Sequence, residues 1–220
     1  MSFGHSLEFI RCRYNRLAAI YPVFELMFWL PWGIRARAVE RLGLKPGDRV
    51  LEVGCGTGRN LPYLVKAVGP QGRVYGVDYS DGMLARARAM CERRGWRNVT
   101  LLQQDARHLD LPEEVDAALF SLSYAVMPEP SRVLEQTWKF VRARGSTVVM
   151  DAKLLPGLLG KLQRPFIILV MKATVLGDPD VRPWEDLRKL TPYFEMQEFN
   201  FGTYYICRGT KPQALVEDQS

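Results

Sequence analysis

A glycine-rich segment at residues 51–58 constrains the fold of this chain more than any other feature. It reads Leu-Glu-Val-Gly-Cys-Gly-Thr-Gly and directly follows Arg49-Val50. A short apolar run that stops at glycines is typical of a buried parallel strand, and glycine lets the backbone turn sharply against a ligand. A dinucleotide fingerprint needs a third glycine where Arg59 stands, and the Gly-Lys-Ser/Thr of a P-loop is absent. The segment therefore predicts a ligand-binding turn between a strand and a helix that is neither a dinucleotide fingerprint nor a P-loop.

Strands and helices alternate after this turn. Apolar runs predict five strands, at residues 49–53, 74–77, 99–102, 117–120 and 146–150. Helices are expected at residues 60–68, 81–94 and 131–141. Ser80 and Ser131 are predicted to cap the second and third of these helices. Such alternation predicts an α/β, Rossmann-like, doubly wound and mostly parallel sheet of seven strands, with the last two strands from the C-terminal part.

The 220 residues fit one core with a modest appendage. Residues 1–42 are predicted as an N-terminal helical lid, and residues 43–220 as the core, with a short helical cap insertion at about 157–183. The four cysteines show no Cys-x-x-Cys spacing, which argues against a zinc site and a disulfide scaffold. The sequence therefore predicts no metal and a reducing, cytoplasmic compartment.

Three acidic residues lie at the ends of three successive predicted strands. They are Glu52, Asp78 and Asp105. Because ligands bind beyond the carboxyl ends of parallel strands, these carboxylates should face one crevice. An acid after the second strand can accept both hydroxyls of a ribose, and one beside the Ala106 amide can accept a hydrogen bond from an adenine amine. The set favours a cofactor with an amine, a ribose and an adenine but no phosphate.

These segments resemble three motifs of the class I S-adenosylmethionine-dependent methyltransferases. Residues 50–58 resemble the first motif, Val77-Asp78 the ribose-binding acid, and Gln104-Asp105-Ala106 the adenine-contact motif. The resemblance covers about residues 47–152 and implies S-adenosylmethionine as cofactor and S-adenosylhomocysteine as product. It places Glu52 near the methionine amine, Asp78 at the ribose, and Asp105 with Ala106 at the adenine edge. The other implied cofactor contacts are Gly54, Cys55, Gly56, Gly58, Tyr79, Met83 and Ser121.

The segment after the fourth predicted strand is expected to meet the methyl acceptor. It reads Ser121-Leu122-Ser123-Tyr124, and Ser121 and Tyr124 are predicted as catalytic residues. The Asp/Asn-Pro-Pro-Tyr/Phe loop of families that methylate adenine, exocyclic amines or glutamine is missing, and so is the Pro-Cys nucleophile of cytosine C5 methylation. The net charge is +6, but the basic residues are dispersed, so no nucleic acid partner is expected.

Two N-terminal tyrosines are spaced as neighbours on one helix face. Tyr14 and Tyr21 are seven residues apart, with Leu17 and Ala18 between them on that face. The pattern resembles the Tyr-x-x-x-Ala-x-x-Tyr helix that covers the cofactor in small-molecule, quinone and phospholipid methyltransferases. A tyrosine attracts cations through its ring face or its hydroxyl. Tyr14 and Tyr21 are therefore predicted as catalytic residues.

Apolar segments flank the predicted core. Residues 17–34 contain one charge, Glu25, but two prolines interrupt them, so a membrane span is not expected. Residues 161–172 contain a second apolar run between basic residues, and this run is too short to span a membrane. Both flanks fit either a lid or contact with an anionic membrane surface. The predicted location is cytoplasmic, with the inner membrane face as a candidate peripheral site.

Two C-terminal segments point to the acceptor. Residues 182–187 and 201–206 resemble the closing segments of bacterial enzymes that N-methylate phosphatidylethanolamine or a diacylglyceryl-homoserine headgroup. The hypothesis is methyl transfer to a hydrophobic or lipid-like acceptor, above all N-methylation of a phospholipid amine. Three alternatives stay open, namely C-methylation of a quinone precursor, methylation of a soluble small molecule, and cofactor binding without turnover.

Overall fold

The computed structural model of the protein describes residues 7–17, 30–173 and 177–213. Its helices are α1 (Leu7–Leu17), α2 (Ile34–Arg41), α3 (Leu61–Val68), α4 (Asp81–Arg94), α5 (Pro130–Phe140), α6 (Gly157–Ala173) and α7 (Pro183–Leu190). Its strands are β1 (Arg49–Val53), β2 (Arg73–Asp78), β3 (Val99–Gln103), β4 (Val115–Ser121), β5 (Val141–Ala152), β6 (Phe194–Phe199) and β7 (Tyr204–Thr210). All five strands and all three helices expected before residue 151 are present; β1 and α4 have the predicted bounds, and the ends of the others are shifted by one or more residues.

A seven-stranded sheet lies at the centre of the described residues, in the order β3-β2-β1-β4-β5-β7-β6. Strands β1 to β5 run parallel, and β7 lies antiparallel between β5 and β6. This arrangement confirms the predicted Rossmann-like, mostly parallel sheet of seven strands. The chain order reverses between β1 and β4, so a crevice opens there at the carboxyl ends of the strands.

Alternating residues of the central strands are buried on opposite faces of the sheet. Val50 and Leu119 belong to an apolar cluster that contains side chains of α2, α3 and α4. Leu51 and Phe120 belong to a second cluster that contains side chains of α5 and α7. Burying both faces explains why the strands read as continuous apolar runs. Each fully buried leucine contributes roughly 1.5–3 kcal/mol to stability.

The starts of two helices test the predicted caps. Ser80 caps α4 as predicted, because its hydroxyl accepts a first-turn backbone N–H at 3.1 Å. The prediction for Ser131 is wrong, since α5 begins at Pro130 and Glu129 occupies the cap position with a φ of 51°. Proline is pre-organised for the first helical position, so the helix begins at Pro130 and the cap lies two residues earlier than predicted. The hydroxyl of Ser131 instead donates to Asp186 at 2.9 Å.

The N-terminal helix α1 is held against the start of α4 by one amide side chain. Asn15 Oδ1 accepts hydrogen bonds from Ser80 Oγ at 2.6 Å and from the Gly82 amide at 3.0 Å. Asn15 Nδ2 donates to Asp81 Oδ1 at 2.9 Å. These contacts place α1 beside the carboxyl end of β2, as a lid would lie. The domain boundary at residue 42 stays a prediction.

Two further features bear on the predicted flanks. Helix α2 packs into the sheet, with Ile34 and Ala38 fully enclosed in the first apolar cluster. Helix α6 falls within the predicted cap insertion. Across the described ranges, no helix combines the length and the apolar character needed to cross a bilayer.

Candidate functional site

A pocket opens at the carboxyl ends of the central strands, and α1 lies across it. Loops that follow β1, β2, β3 and β4 form its walls, which is where the topology predicts a ligand site. The residues predicted from the sequence that line it are Tyr14, Glu52, Gly54, Cys55, Gly56, Asp78, Tyr79, Met83, Asp105, Ala106 and Ser121. The fold thus brings the cofactor residues of three strand ends together.

Glu52 is a buried carboxylate with one unpaired oxygen. Its Oε1 accepts a short hydrogen bond from Asn60 Nδ2, whereas its Oε2 has no hydrogen-bond partner among the described residues. Burial raises the pKa of Glu52 to about 7, against the lowering effects of the Asn60 hydrogen bond and the Arg35 charge. A buried acceptor without a donor is costly, so this oxygen is suited to a cationic donor from a ligand.

Asp78 is held by backbone amides of the glycine turn. Its two carboxylate oxygens accept hydrogen bonds from the Gly56 and Ser80 amides, both at 2.8 Å. Burial raises the pKa of Asp78, and these amides oppose the rise. A carboxylate offers about four lone-pair directions, so the group can accept two further bonds from ligand hydroxyls.

The turn itself requires glycine at Gly54. The backbone there is left-handed, with a φ of 72°, and a Cβ atom would lie 2.6 Å from the Cβ of Ser123. Ser123 is fixed in turn, because its hydroxyl donates to the Val53 carbonyl at 2.7 Å. Gly58 is also left-handed, but a Cβ there would meet Leu61 at 2.7 Å. Gly58 is not among the residues that line the pocket, so the cofactor contact that the resemblance implied for it stays a prediction.

Asp105 forms an ion pair that the sequence did not reveal. Arg107 donates from Nε and Nη2 to the two carboxylate oxygens at 3.1 and 2.8 Å, and from Nη1 to Glu129 at 2.7 Å. Burial alone raises the pKa of Asp105, but the Arg107 hydrogen bonds and charge outweigh it and lower the pKa. Asp105 is therefore held ionised at the pocket wall.

Arg35 also reaches the pocket from a distant segment. Its Nη1 donates to Asn60 Oδ1 and to Ser121 Oγ, both at 3.0 Å. Its positive charge favours the ionised form of Glu52. The sequence offered no signal for Arg35 or Asn60, because neither belongs to a motif and only folding brings them to the strand ends.

The predicted catalytic residues are not all in one place. Tyr14 and Ser121 line the pocket. Tyr124 is fully buried in the second apolar cluster, and its hydroxyl donates to Asp186 at 2.9 Å, so it does not line the pocket. Burial and Asp186 both raise the pKa of Tyr124. Tyr21 lies outside the described residues.

Two residues at the open side of the pocket connect it to α1. Tyr79 lines the pocket, and its hydroxyl donates to Glu8 Oε1 at 3.0 Å. Met83, on the first turn of α4, presents a buried side chain to the same wall. An aromatic ring and a thioether at this position can pack against a flat heterocycle.

Comparison with known proteins agrees with this geometry. Residues 50–145 match the family described as Methyltransferase domain. Over 107 residues the chain is 42% identical to a phosphatidylethanolamine N-methyltransferase of Cereibacter sphaeroides, which covers 48% of this chain and 51% of that protein. Over 145 residues it is 29% identical to a demethylmenaquinone methyltransferase of Geobacillus stearothermophilus, which covers 66% of this chain and 60% of that protein. The chain thus spans between half and two thirds of the length of these curated relatives.

A solved structure shows the same fold. Phosphoethanolamine N-methyltransferase 2 of Haemonchus contortus, in complex with S-adenosyl-L-methionine, superposes with a TM-score of 0.67 at 15% identity. The superposition covers 83% of this chain and 53% of the other. Residues 50–145 thus match a methyltransferase domain, and the described residues share the fold of a solved methyltransferase that binds S-adenosyl-L-methionine.

Proposed function

We propose that this chain is an S-adenosylmethionine-dependent methyltransferase that acts on a hydrophobic or lipid-like acceptor, most of all the amine of a phospholipid headgroup. The observation that carries the proposal is the unpaired Oε2 of Glu52, buried in the same pocket as Asp78 and Asp105. An ammonium group of the cofactor supplies the missing donor. Its charge also favours ionised Glu52, whose pKa burial has raised.

The other acids fit the rest of the cofactor. Asp78 would accept both ribose hydroxyls through the lone pairs that the backbone amides leave. Asp105 and the Ala106 amide would bind the adenine edge, with Tyr79 and Met83 packed on the ring. Gly54 and Gly56 would allow the backbone to approach the methionine moiety, and S-adenosylhomocysteine would leave from the same contacts.

The bound cofactor supplies a methyl group on a sulfonium, so the chain's part is alignment and the exclusion of water. A primary amine has a pKa near 10 in water and must be neutral to attack. An apolar wall favours the neutral amine, and the described residues of that wall are Leu7, Ile10, Leu122, Val126, Met127 and Val133. Tyr14 would accept the proton directly or through water, and Ser121 would orient the acceptor. Tyr21 keeps its predicted role, whereas Tyr124 is not included because its hydroxyl is committed to the core.

A phospholipid amine is favoured over the alternatives by the 42% identity with the Cereibacter sphaeroides protein, whose name states that activity. C-methylation of a quinone precursor is the second candidate, supported by the 29% identity with a demethylmenaquinone methyltransferase. Carbon methylation needs a base that creates a carbanion, and within the described pocket lining each carboxylate is assigned to the cofactor and no histidine is present. The proposal places the enzyme at the cytoplasmic face of a membrane.

The test is product analysis with a methyl-labelled cofactor. The purified chain is incubated with vesicles that contain phosphatidylethanolamine, and in parallel with a prenylated demethylquinone, and the chloroform extracts are separated by headgroup. We expect label in mono-, di- or trimethylated phosphatidylethanolamine, and no label with the Asp78→Asn variant. Label in the quinone alone would transfer the assignment to C-methylation. Tight cofactor binding without label in either lipid would leave a soluble acceptor or a non-catalytic binding protein.

A further inference from the structure

The cap helix α6 turns its apolar side away from the protein. Five large apolar side chains on it are between 63% and 72% exposed, namely Leu158, Leu159, Leu162, Phe166 and Leu169. At 3.6 residues per turn these positions fall within an arc of about 100°. The apolar stripe of an ordinary surface helix faces the core, so α6 has the reverse orientation.

Contacts on the other side of α6 fix this orientation. Gly160 is buried, and a Cβ atom there would lie 1.9 Å from the Leu155 carbonyl oxygen, so no side chain fits on that side. Gln163 Oε1 accepts a hydrogen bond from the Leu155 amide at 3.2 Å. Arg164 forms an ion pair with Asp180 at 2.5 Å. These contacts hold the opposite side of α6 against the protein, so its apolar stripe faces outward.

Two exposed aromatic residues lie at the same edge of the sheet. Phe201 is 94% exposed in the turn that precedes β7, and a Cβ on the adjacent Gly202 would lie 3.7 Å from Pro156, which precedes α6. Trp32 is 97% exposed just before α2, whose Arg35 reaches the end of β4. We call the five α6 side chains, Trp32 and Phe201 the apolar rim. The rim lies at the carboxyl ends of the strands, where the pocket opens.

The backbone around Phe201 is strained in a way that keeps the ring outside. Asn200 and Phe201 both have positive φ angles, 47° and 57°. For a bulky residue such as phenylalanine this conformation is a genuine outlier and costs on its own. A fully exposed aromatic ring on a strained turn makes Phe201 a candidate for contact with a partner.

Charge favours an anionic partner for the apolar rim. Residues 157–173 contain three basic residues, of which Arg164 pairs with Asp180, and no acidic residue, and the whole chain carries a net charge of +6. The 17 residues of α6 extend about 26 Å, with the apolar stripe along one side, which suits a helix lying in the plane of a bilayer surface. Basic residues beside such a stripe are attracted to anionic headgroups.

We infer that the apolar rim docks the protein onto an anionic phospholipid bilayer, with the pocket mouth facing the headgroups. The inference deepens the proposed function by naming the surface that would bring a lipid amine to the pocket. It rests on the rim's own exposure, orientation and charge, and it is tested without cofactor or methyl acceptor.

The experiment is sedimentation of the full chain with vesicles of phosphatidylcholine alone or mixed with phosphatidylglycerol. Neither lipid has a methylatable amine, so failure here is separate from failure of the proposed chemistry. We expect binding that is at least about tenfold tighter to the mixed vesicles and that weakens with added salt. Leu162→Asp and Phe166→Asp should each reduce binding by about tenfold or more.

Tyr193→Asp is the matched control. Tyr193 is 63% exposed, like the α6 residues, but it precedes β6 at the opposite edge of the sheet. The Tyr193→Asp variant should bind the mixed vesicles as tightly as the unmodified protein does. Circular dichroism and thermal unfolding verify that each variant is folded, as expected for substitutions at exposed positions.

Three outcomes would overturn the inference. The first is no sedimentation of the unmodified chain with mixed vesicles. The second is equal sedimentation of Phe166→Asp and Tyr193→Asp. The third is a dimer in solution that Phe166→Asp dissociates while vesicle binding is absent, which would assign the rim to a second copy of the chain.

Discussion

Replacement of Glu52 by glutamine should move stability and cofactor affinity in opposite directions. Glutamine keeps the shape of the side chain and an acceptor for Asn60, but it removes a charge that is buried with an unpaired oxygen. Raising the pKa from 4.5 to about 7 means that ionising this carboxyl in the folded protein costs about 3 kcal/mol more than in water. That cost is the quantity the substitution removes.

The sign follows from proton linkage. Glu52 has a higher pKa in the folded than in the unfolded chain, so its destabilising effect is absent below pH 4.5. The effect grows as the pH rises from 4.5 to about 7 and is complete above that. Between pH 5 and pH 8 the stability of Glu52→Gln relative to the unmodified protein should therefore rise by about 2–3 kcal/mol. A chain of this size gains roughly 2–4 °C in Tm per kcal/mol, so the difference in Tm should widen by roughly 5–10 °C.

The assay is thermal unfolding of both proteins without cofactor at several pH values, together with calorimetric titration of S-adenosylmethionine. The affinity of the unmodified protein for S-adenosylmethionine should increase from pH 6 to pH 7.5, because Glu52 ionises in this range. The variant should bind at least about tenfold more weakly and without this pH dependence. A Tm difference that stays constant with pH, or unchanged cofactor affinity in the variant, would refute the reasoning.

Four further substitutions probe the pocket and its lid. Gly54→Ala should abolish cofactor binding and destabilise the fold by about 1–3 kcal/mol, because the Cβ meets Ser123 at 2.6 Å in a left-handed backbone; calorimetry and unfolding measure the two effects. Asn15→Ala should raise the KM for S-adenosylmethionine several-fold with little change in Tm, since its three hydrogen bonds hold α1 at the pocket; an unchanged KM would contradict a lid role. Tyr124→Phe should lower stability by about 1 kcal/mol and leave kcat unchanged, whereas Tyr14→Phe should lower kcat and leave Tm unchanged. Steady-state kinetics and thermal unfolding of both variants check this, and a lower kcat in Tyr124→Phe with an unchanged kcat in Tyr14→Phe would contradict it.

The sheet and the acids of the site could be predicted because their signals are local. Each central strand is a continuous apolar run, and the glycine turn follows the first strand directly. Once the strands are parallel, Glu52, Asp78 and Asp105 must meet at one edge. The position of these acids therefore follows from the sheet topology alone and requires no knowledge of distant side-chain contacts.

What the sequence could not reveal depends on distant contacts or on backbone geometry. Arg35 meets Ser121 across 86 residues, and no local pattern marks such a contact. Tyr124 turns into the core because Leu122 adopts a left-handed φ of 54° and a 3-10 turn follows, which breaks the alternation of the strand. A side chain's direction after a strand end therefore cannot be read by continuing the strand.

The serine at the start of α4 has a consequence for the timing of turnover. Ser80 uses its amide to hold Asp78 and its hydroxyl to donate to Asn15 on α1. Ser80 therefore contacts both Asp78, the carboxylate proposed to bind the ribose, and Asn15, the side chain that holds α1 at the pocket. Under the proposed lid role, S-adenosylhomocysteine would leave only after α1 moves and the Asn15 hydrogen bonds to Ser80, Asp81 and Gly82 break. Product release, rather than methyl transfer, would then limit the rate of turnover.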